Sequence, residues 1–221
     1  MVSAVLFDLD GVLVDSRAAI GASMNHALVS LGHPQREEEE LHRYIGPPLY
    51  GAFSDLTGKP VESDEVAALV AAYRARYAVA SLRDSLVFEG IEAVLESLGR
   101  EHTLAVATSK PRPFAVPLLE AVGLSRHFAW IAGPELDSTM EPKAVTVRDA
   151  LGHVGGPPAV MIGDRVHDVE GARANGIPVI AVGWGIGDAE ELAGADARVE
   201  APEDLPSAVE RLLAGWSAAP T

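Results

Sequence analysis

The stretch FDLDGVLVDS, residues 7–16, sets two carboxylates, Asp8 and Asp10, two positions apart where an apolar strand gives way to a turn. A strand alternates its side chains, so positions 8 and 10 lean toward one face and crowd two negative charges together. Like charges sharing a site push a carboxyl toward protonation, whereas a bound divalent cation keeps its ligands ionised. The pair points to a hard metal, to a nucleophile with an acid beside it, or to both. Taken alone it also reads as a polar strand exit, with Asp10-Gly11 as ordinary turn chemistry.

Three later stretches bear on that choice. TLAVATSK (103–110) is another apolar strand, ending in Thr108, Ser109 and Lys110. EPKA (141–144) places Lys143 at the opening of a helix-like segment. AVMIGDRVHD (159–168) runs a strand into an acidic turn with Asp164 and Asp168 at i and i+4. Ligands of open α/β sheets sit outside the carboxyl ends of the strands, where three of these four groups fall.

With these four motifs in this order, the chain resembles the haloacid dehalogenase superfamily of aspartate-nucleophile phosphohydrolases, and within it the phosphoglycolate phosphatase-like branch. The resemblance covers essentially the whole chain. It implies a doubly wound parallel sheet of Rossmann-like type carrying a small helical cap, and Mg²⁺ as cofactor. It implies Asp8 as nucleophile, Asp10 as general acid/base, Thr108, Ser109 and Lys143 as phosphate ligands, and Asp8, the Asp10 carbonyl and Asp164 around the metal, supported by Asp168.

The residue chemistry suits those roles. An ionised carboxylate attacks phosphorus without needing a base, and an aspartyl phosphate divides one difficult hydrolysis into two transfers. The leaving alkoxide must be protonated and the later water deprotonated, which one acid two residues away serves in turn. Phosphoryl transfer depends on positioning and on neutralising the phosphoryl oxygens, so cations and N–H donors matter more than covalent chemistry. Asp164 also reads as a helix cap, and Asp168 as an acid favoured by a helix dipole; both are compatible with ligation. Arg165 stands where many relatives carry a small hydroxyl residue, and two readings stay open for it: reaching a substrate anion, or holding Asp168 and its neighbours in an ion pair. Lys110 reads equally as a substrate-adjacent cation and as a catalytic part. His167 reads as a solvated histidine.

Composition sets outer limits. With 221 residues, 48% of them hydrophobic, the chain is long enough for a sizeable core. A net charge of −15 argues against nucleic acid, whose affinity for proteins comes from clustered Lys and Arg. No cysteine is present, which excludes thiol catalysis and cysteine-based zinc sites. There is no basic, apolar leader pattern and no run long enough to span a bilayer, so a cytoplasmic protein without membrane partners is expected, a monomer or a weak homodimer acting on a small phosphate monoester.

Along the chain, residues 15–83 read as helical, with helices over 16–31, 37–45, 48–56 and 63–80. From residue 87 helix-like and strand-like segments alternate, with strands at 103–107, 130–132, 159–162 and 179–182, and a helix over 169–175. The expected organisation is a core of 1–14 and 84–221 interrupted by a cap of 15–83, with hinges near Val14-Asp15 and Arg83-Asp84. The turn at 45–48 is the candidate to lean over the site, with Pro47, Arg43 and Tyr50 as substrate contacts beside Lys110 and Arg165. Tyr73 and Tyr77, spaced i and i+4, read as cap core. The leading function is a Mg²⁺-dependent phosphatase; the alternatives are a phosphomutase of the β-phosphoglucomutase type and a non-enzymatic binding domain. A dehalogenase has little use for an acid at position 10, and a phosphonatase would need a cap lysine, for which Lys59 is the sole candidate.

Overall fold

The computed structural model describes residues 3–136 and 141–216. Six strands form a parallel sheet in the order β5-β4-β1-β6-β7-β8: Ala4–Phe7 (β1), Thr103–Ala107 (β4), Trp130–Ala132 (β5), Ala159–Gly163 (β6), Val179–Val182 (β7) and Ala197–Val199 (β8). A central parallel strand is covered on both faces and reads as a continuous apolar run. β1 is such a run, AVLF, and all four residues are buried. Val5 and Phe7 point into one layer with Val160 and Ile162 beneath α5 (Ile91–Leu98), α6 (Arg112–Ala121) and α9 (Leu205–Trp216). Ala4 and Leu6 point into the other with Met161, beneath α7 (Lys143–Val154) and α8 (Val166–Ala174). Each fully buried Leu or Phe of this kind contributes roughly 1.5–3 kcal/mol over an exposed one.

The chain leaves β1 toward β4 and β5 on one side and later returns to β6 on the other, so strand order reverses beside β1. A crevice opens at such a switch point.

The helical stretch is an insertion between the two short strands β2 (Val14–Asp15) and β3 (Leu86–Val87), which pair antiparallel, so both chain crossings lie side by side at one ribbon. Helices α1 (Arg17–Ser30), α2 (Glu38–His42), α3 (Leu49–Thr57) and α4 (Asp64–Asp84) close on a core of their own that includes Met24, Leu28, Leu41, Phe53, Leu69 and Tyr73. On α4 the buried positions Val66, Leu69, Val70, Tyr73, Tyr77 and Ala80 follow the i, i+3, i+4 spacing of one helix face. Its start is capped by Ser63, whose hydroxyl accepts from the Val66 amide.

Several elements differ from the sequence expectation. α4 runs on to Asp84 and α2 ends at His42. β8 goes unread in the sequence because it is three residues long with an exposed arginine at its centre. α8 begins at Val166, three residues before the expected start, because Asp168 folds its carboxylate back onto the backbone amides of Asp164 and Arg165, both at 3.0 Å, and caps the helix from inside its first turn. The tail beyond Gly215, for which the sequence suggests no structure, lies outside the described residues from 217 onward.

Candidate active site

β4, β1 and β6 run in register, with Phe7 facing Val106 on one side and Ile162 on the other. Asp8, Thr108 and Asp164, each the first residue past its strand, therefore emerge together at the carboxyl edge of the sheet. Asp8, Asp164 and Asp168 are all buried, and each offers a carboxylate oxygen, the three lying within 4.8 Å of one another. Lys143, buried at the start of α7, reaches Asp8 at 2.8 Å and Asp168 at 2.7 Å. Those two carboxylate oxygens meet the ammonium as ion pairs without hydrogen-bond alignment, whereas Asp164 Oδ1 is buried with no hydrogen-bond partner.

The backbone holds Asp164 tightly. Its Oδ2 accepts from the Ile186 amide at 2.8 Å and its carbonyl accepts from the Gly187 amide at 3.1 Å. A side chain on Gly11, whose φ is +83°, would meet Asp164 Oδ2 at 2.1 Å, and one on Gly185 would meet the Asp164 Cβ at 2.3 Å. Glycine is required at both positions, at Gly11 for its backbone conformation as well. Burial foremost, then the negative charges of Asp168 and Asp8, holds the Asp164 carboxyl well above the ordinary carboxylate range. Asp168 is raised by burial, with Lys143 pulling back against it. Burial works to lower Lys143, yet Asp168 and Asp8 outweigh it and the ammonium stays charged. Three carboxylates thus face one ammonium, and the donors are oxygens only. That donor set, with a free oxygen on Asp164, fits a hard divalent cation.

Asp10 sits in a different setting. Ser16 donates its hydroxyl to Asp10 Oδ1, and the Lys110 ammonium lies 2.6 Å from the same oxygen. Lys110 is buried and also donates to the Tyr77 hydroxyl of α4, tying the sheet edge to the helical insertion. The Lys110 amide in turn donates to Thr108 Oγ1 at 3.1 Å.

Asp8, Asp10, Thr108, Ser109, Lys110, Lys143, Pro47, Tyr50 and Arg165 all border one cavity of about 240 Å³, which the 45–48 turn helps to close. His167 borders it too and pairs with Glu170 at 3.4 Å. Arg43 does not: its guanidinium is exposed and paired with Asp55 at 2.8 Å, so the structure moves it out of the expected substrate contacts. Arg165 pairs with Glu191 at 2.8 Å, not with Asp168, and donates from Nη1 to the Ile45 carbonyl across the gap between the two halves. Tyr73 and Tyr77 belong to the insertion core and line the cavity as well.

Several site residues escape the sequence reading. The GWGIG stretch after β7 supplies the Ile186 and Gly187 amides, and its glycines directly after a strand are the signal that would have found it. Ser16 lies in the opening 7–16 stretch and goes unassigned there, while Glu191 and the insertion's Arg74 leave no comparable signal, since only the fold brings them to the site.

A family model for haloacid dehalogenase-like hydrolases matches residues 5–182. A 5'-nucleotidase of Pseudomonas aeruginosa is 43% identical over 85% of this chain and 86% of its own length. A plasmid-borne phosphoglycolate phosphatase of Cupriavidus necator is 36% identical over 93% and 92%. The tyrosine-protein kinase PtkA of Mycobacterium tuberculosis is 38% identical over 84% of this chain, which spans 64% of that relative's length. Among solved structures, a predicted phosphatase from Clostridium acetobutylicum superposes with a TM-score of 0.88 at 34% identity, covering 96% of this chain and all of that one (100%). A model match across most of the chain and full-length phosphatase relatives above 30% identity give one answer: the chain belongs to the haloacid dehalogenase-like hydrolases, on their phosphatase side.

Proposed function

We propose that the protein is a Mg²⁺-dependent phosphatase of small organic phosphate monoesters, among them phosphoglycolate, nucleoside monophosphates and sugar phosphates, acting through an aspartyl phosphate on Asp8. The observation that carries this reading is the charge imbalance at the strand ends, three buried carboxylates against one lysine, with Asp164 Oδ1 unpartnered and Asp8 and Lys143 bordering the cavity.

Asp8 attacks phosphorus, with Lys143 beside it to offset phosphoryl charge and Thr108 and the Ser109 amide to orient the phosphate oxygens. Asp10 gives its proton to the leaving oxygen and later takes one from the attacking water; Ser16 and Lys110 hold it for both tasks. Asp8, Asp164 and the Asp10 carbonyl would hold Mg²⁺, supported by Asp168, and the ion would supply the positive charge that the acids lack. Residues 15–83 act as a cap that excludes water and shapes the leaving-group side, with movement at the β2/β3 ribbon. The kinase among the relatives favours a second reading, phosphoryl transfer to an acceptor other than water.

Phosphate release from phosphoglycolate, nucleoside monophosphates, sugar phosphates and an aryl phosphate, with and without Mg²⁺, tests the proposal. Metal-dependent release that disappears in Asp8→Asn supports it. Transfer between sugar hydroxyls without release would replace it with the mutase reading.

A further inference from the structure

Among the described residues four lysine and arginine side chains border the cavity, and three are paired with carboxylates: Lys143 with Asp8 and Asp168, Lys110 with Asp10, and Arg165 with Glu191. Arg74 on α4 is the exception. Its Nη2 donates to the Leu136 carbonyl at 3.0 Å, its Nε is buried without a hydrogen-bond partner, and no carboxylate among the described residues pairs with it. A guanidinium carries five donors in a fixed fork, so most of this one's capacity is unused by the described residues. A buried N–H left without an acceptor is destabilising, and the guanidinium's remaining donors are available to a ligand in the cavity that Arg74 borders.

The walls beside Arg74 are flat and apolar. Tyr73 and Tyr77 stack with ring centroids 5.2 Å apart, Phe114 meets Tyr77 edge-on at 5.8 Å, and all three line the cavity. These rings belong to the lining of the same cavity as Asp8 and Lys143, so a leaving group too small to reach them leaves that wall uncovered. Unfilled apolar wall forfeits dispersion contact. Charge selects further: Glu135 and Glu141 line the same cavity, and neither pairs with a described cation. In a chain of net charge −15 they oppose a leaving group that carries its own negative charge.

We infer that the cavity is built for a neutral, ring-bearing leaving group with hydrogen-bond acceptors, a nucleoside, and that Arg74 reads those acceptors. The inference rests on the phosphatase reading and narrows its substrate from phosphate monoesters at large to nucleoside monophosphates. Arg74 here is a specificity residue and takes no part in the phosphoryl step.

The test compares kcat/KM for uridine and adenosine 5'-monophosphates, phosphoglycolate and p-nitrophenyl phosphate in wild type, Arg74→Met and Arg74→Lys. At least one nucleotide should exceed phosphoglycolate by about tenfold or more. Arg74→Met should cut the ratio of nucleotide to p-nitrophenyl phosphate by about tenfold, which is about 1.4 kcal/mol; Arg74→Lys should recover part of it. Loosening of the Leu136 contact alone would lower all substrates together, and an unchanged ratio would overturn the role of Arg74. Preference for phosphoglycolate would overturn the nucleoside assignment. If p-nitrophenyl phosphate is not hydrolysed, the phosphatase reading fails by itself. Calorimetric binding of the nucleotides to Asp8→Asn then decides the inference, which stands if they bind more tightly than phosphoglycolate and falls if they do not.

Discussion

The sheet edge and the helical insertion face each other across one cavity, and they hold their side chains by different means. At the sheet edge the backbone does the holding: strands in register deliver Asp8, Thr108 and Asp164 together, amides of Ile186 and Gly187 grip Asp164, and glycines at 11 and 185 let the backbone approach its side chain closely. On the insertion, Tyr73, Arg74 and Tyr77 are held by the packing of α4 against α1, α3 and Phe114, with few backbone bonds to the core. On the proposed function the reacting groups are set by the strand ends and their backbone contacts, and the leaving group is met by side chains on a helix face that can be exchanged without touching the strands. Substitutions at the edge should abolish chemistry, while those on the insertion should change degree and selectivity.

The largest effect is expected from Asp8→Asn. Loss of the nucleophile should lower kcat by at least about 10³-fold, and a mechanism without it leaves only residual rate from binding and positioning. Circular dichroism and the thermal midpoint should show an intact fold. Retained turnover in a folded variant would remove the aspartyl phosphate from the proposal.

Lys143→Met tests whether the edge is also the stability centre. It leaves Asp8 and Asp168 buried without their cation, a loss of about 3–5 kcal/mol for a broken buried pair, readable from denaturant midpoints. Phosphate release should vanish as well. A variant as stable as wild type would mean that the acids shed their charge without help from the lysine.

Asp164→Asn separates metal binding from folding. In metal-free protein the Asp164 carboxyl lies above its unfolded value, so between the two values the folded state binds the extra proton. Stability then falls as pH rises from about 4, where unfolded aspartate ionises, toward the raised folded value. Mg²⁺ should offset that loss in wild type and raise its thermal midpoint, while Asp164→Asn should show a flatter pH dependence and little response to Mg²⁺. An unchanged Mg²⁺ response would reduce Asp164 to a structural group held by its amides.

How much of this was legible follows the same division. Asp8, Asp10, Thr108, Asp164 and Asp168 were readable because each lies in contiguous sequence at the end of an apolar strand, where α/β sheets put their ligands. Lys143 was legible from the resemblance and only weakly from its place at a helix start. The insertion's contribution was legible only in part: the 45–48 turn, Pro47 and Tyr50 border the cavity, but Arg43 lies near that turn in sequence and faces Asp55, while Arg74, which reaches the cavity, sits one position from a core tyrosine and looks like any solvated helix cation. Sequence neighbourhood locates a residue on a strand end, because the strand fixes its direction. On a helix, direction turns by 100° per residue, and the packing partner that selects a face is chosen by the fold.

The smallest expected effect comes from the bond that joins α4 to the acid through Lys110. Tyr77 accepts a hydrogen bond from the Lys110 ammonium, which itself pairs with Asp10. Burial, and then the charge of Asp10, holds the Tyr77 phenol well above its ordinary value, so it stays neutral as an acceptor across the working range. Tyr77→Phe keeps the ring that stacks on Tyr73 and packs on Phe114 and removes only the oxygen. Lys110 retains Asp10, so the loss should be that of one hydrogen bond to a charged donor, about 1.5–3 kcal/mol at most. Turnover should fall by less than about tenfold, because Ser16 and Lys110 still hold Asp10. A fall as large as that of Asp8→Asn would show that the insertion does more than shape the leaving-group side, and that the acid is set in place only when the helix closes on it.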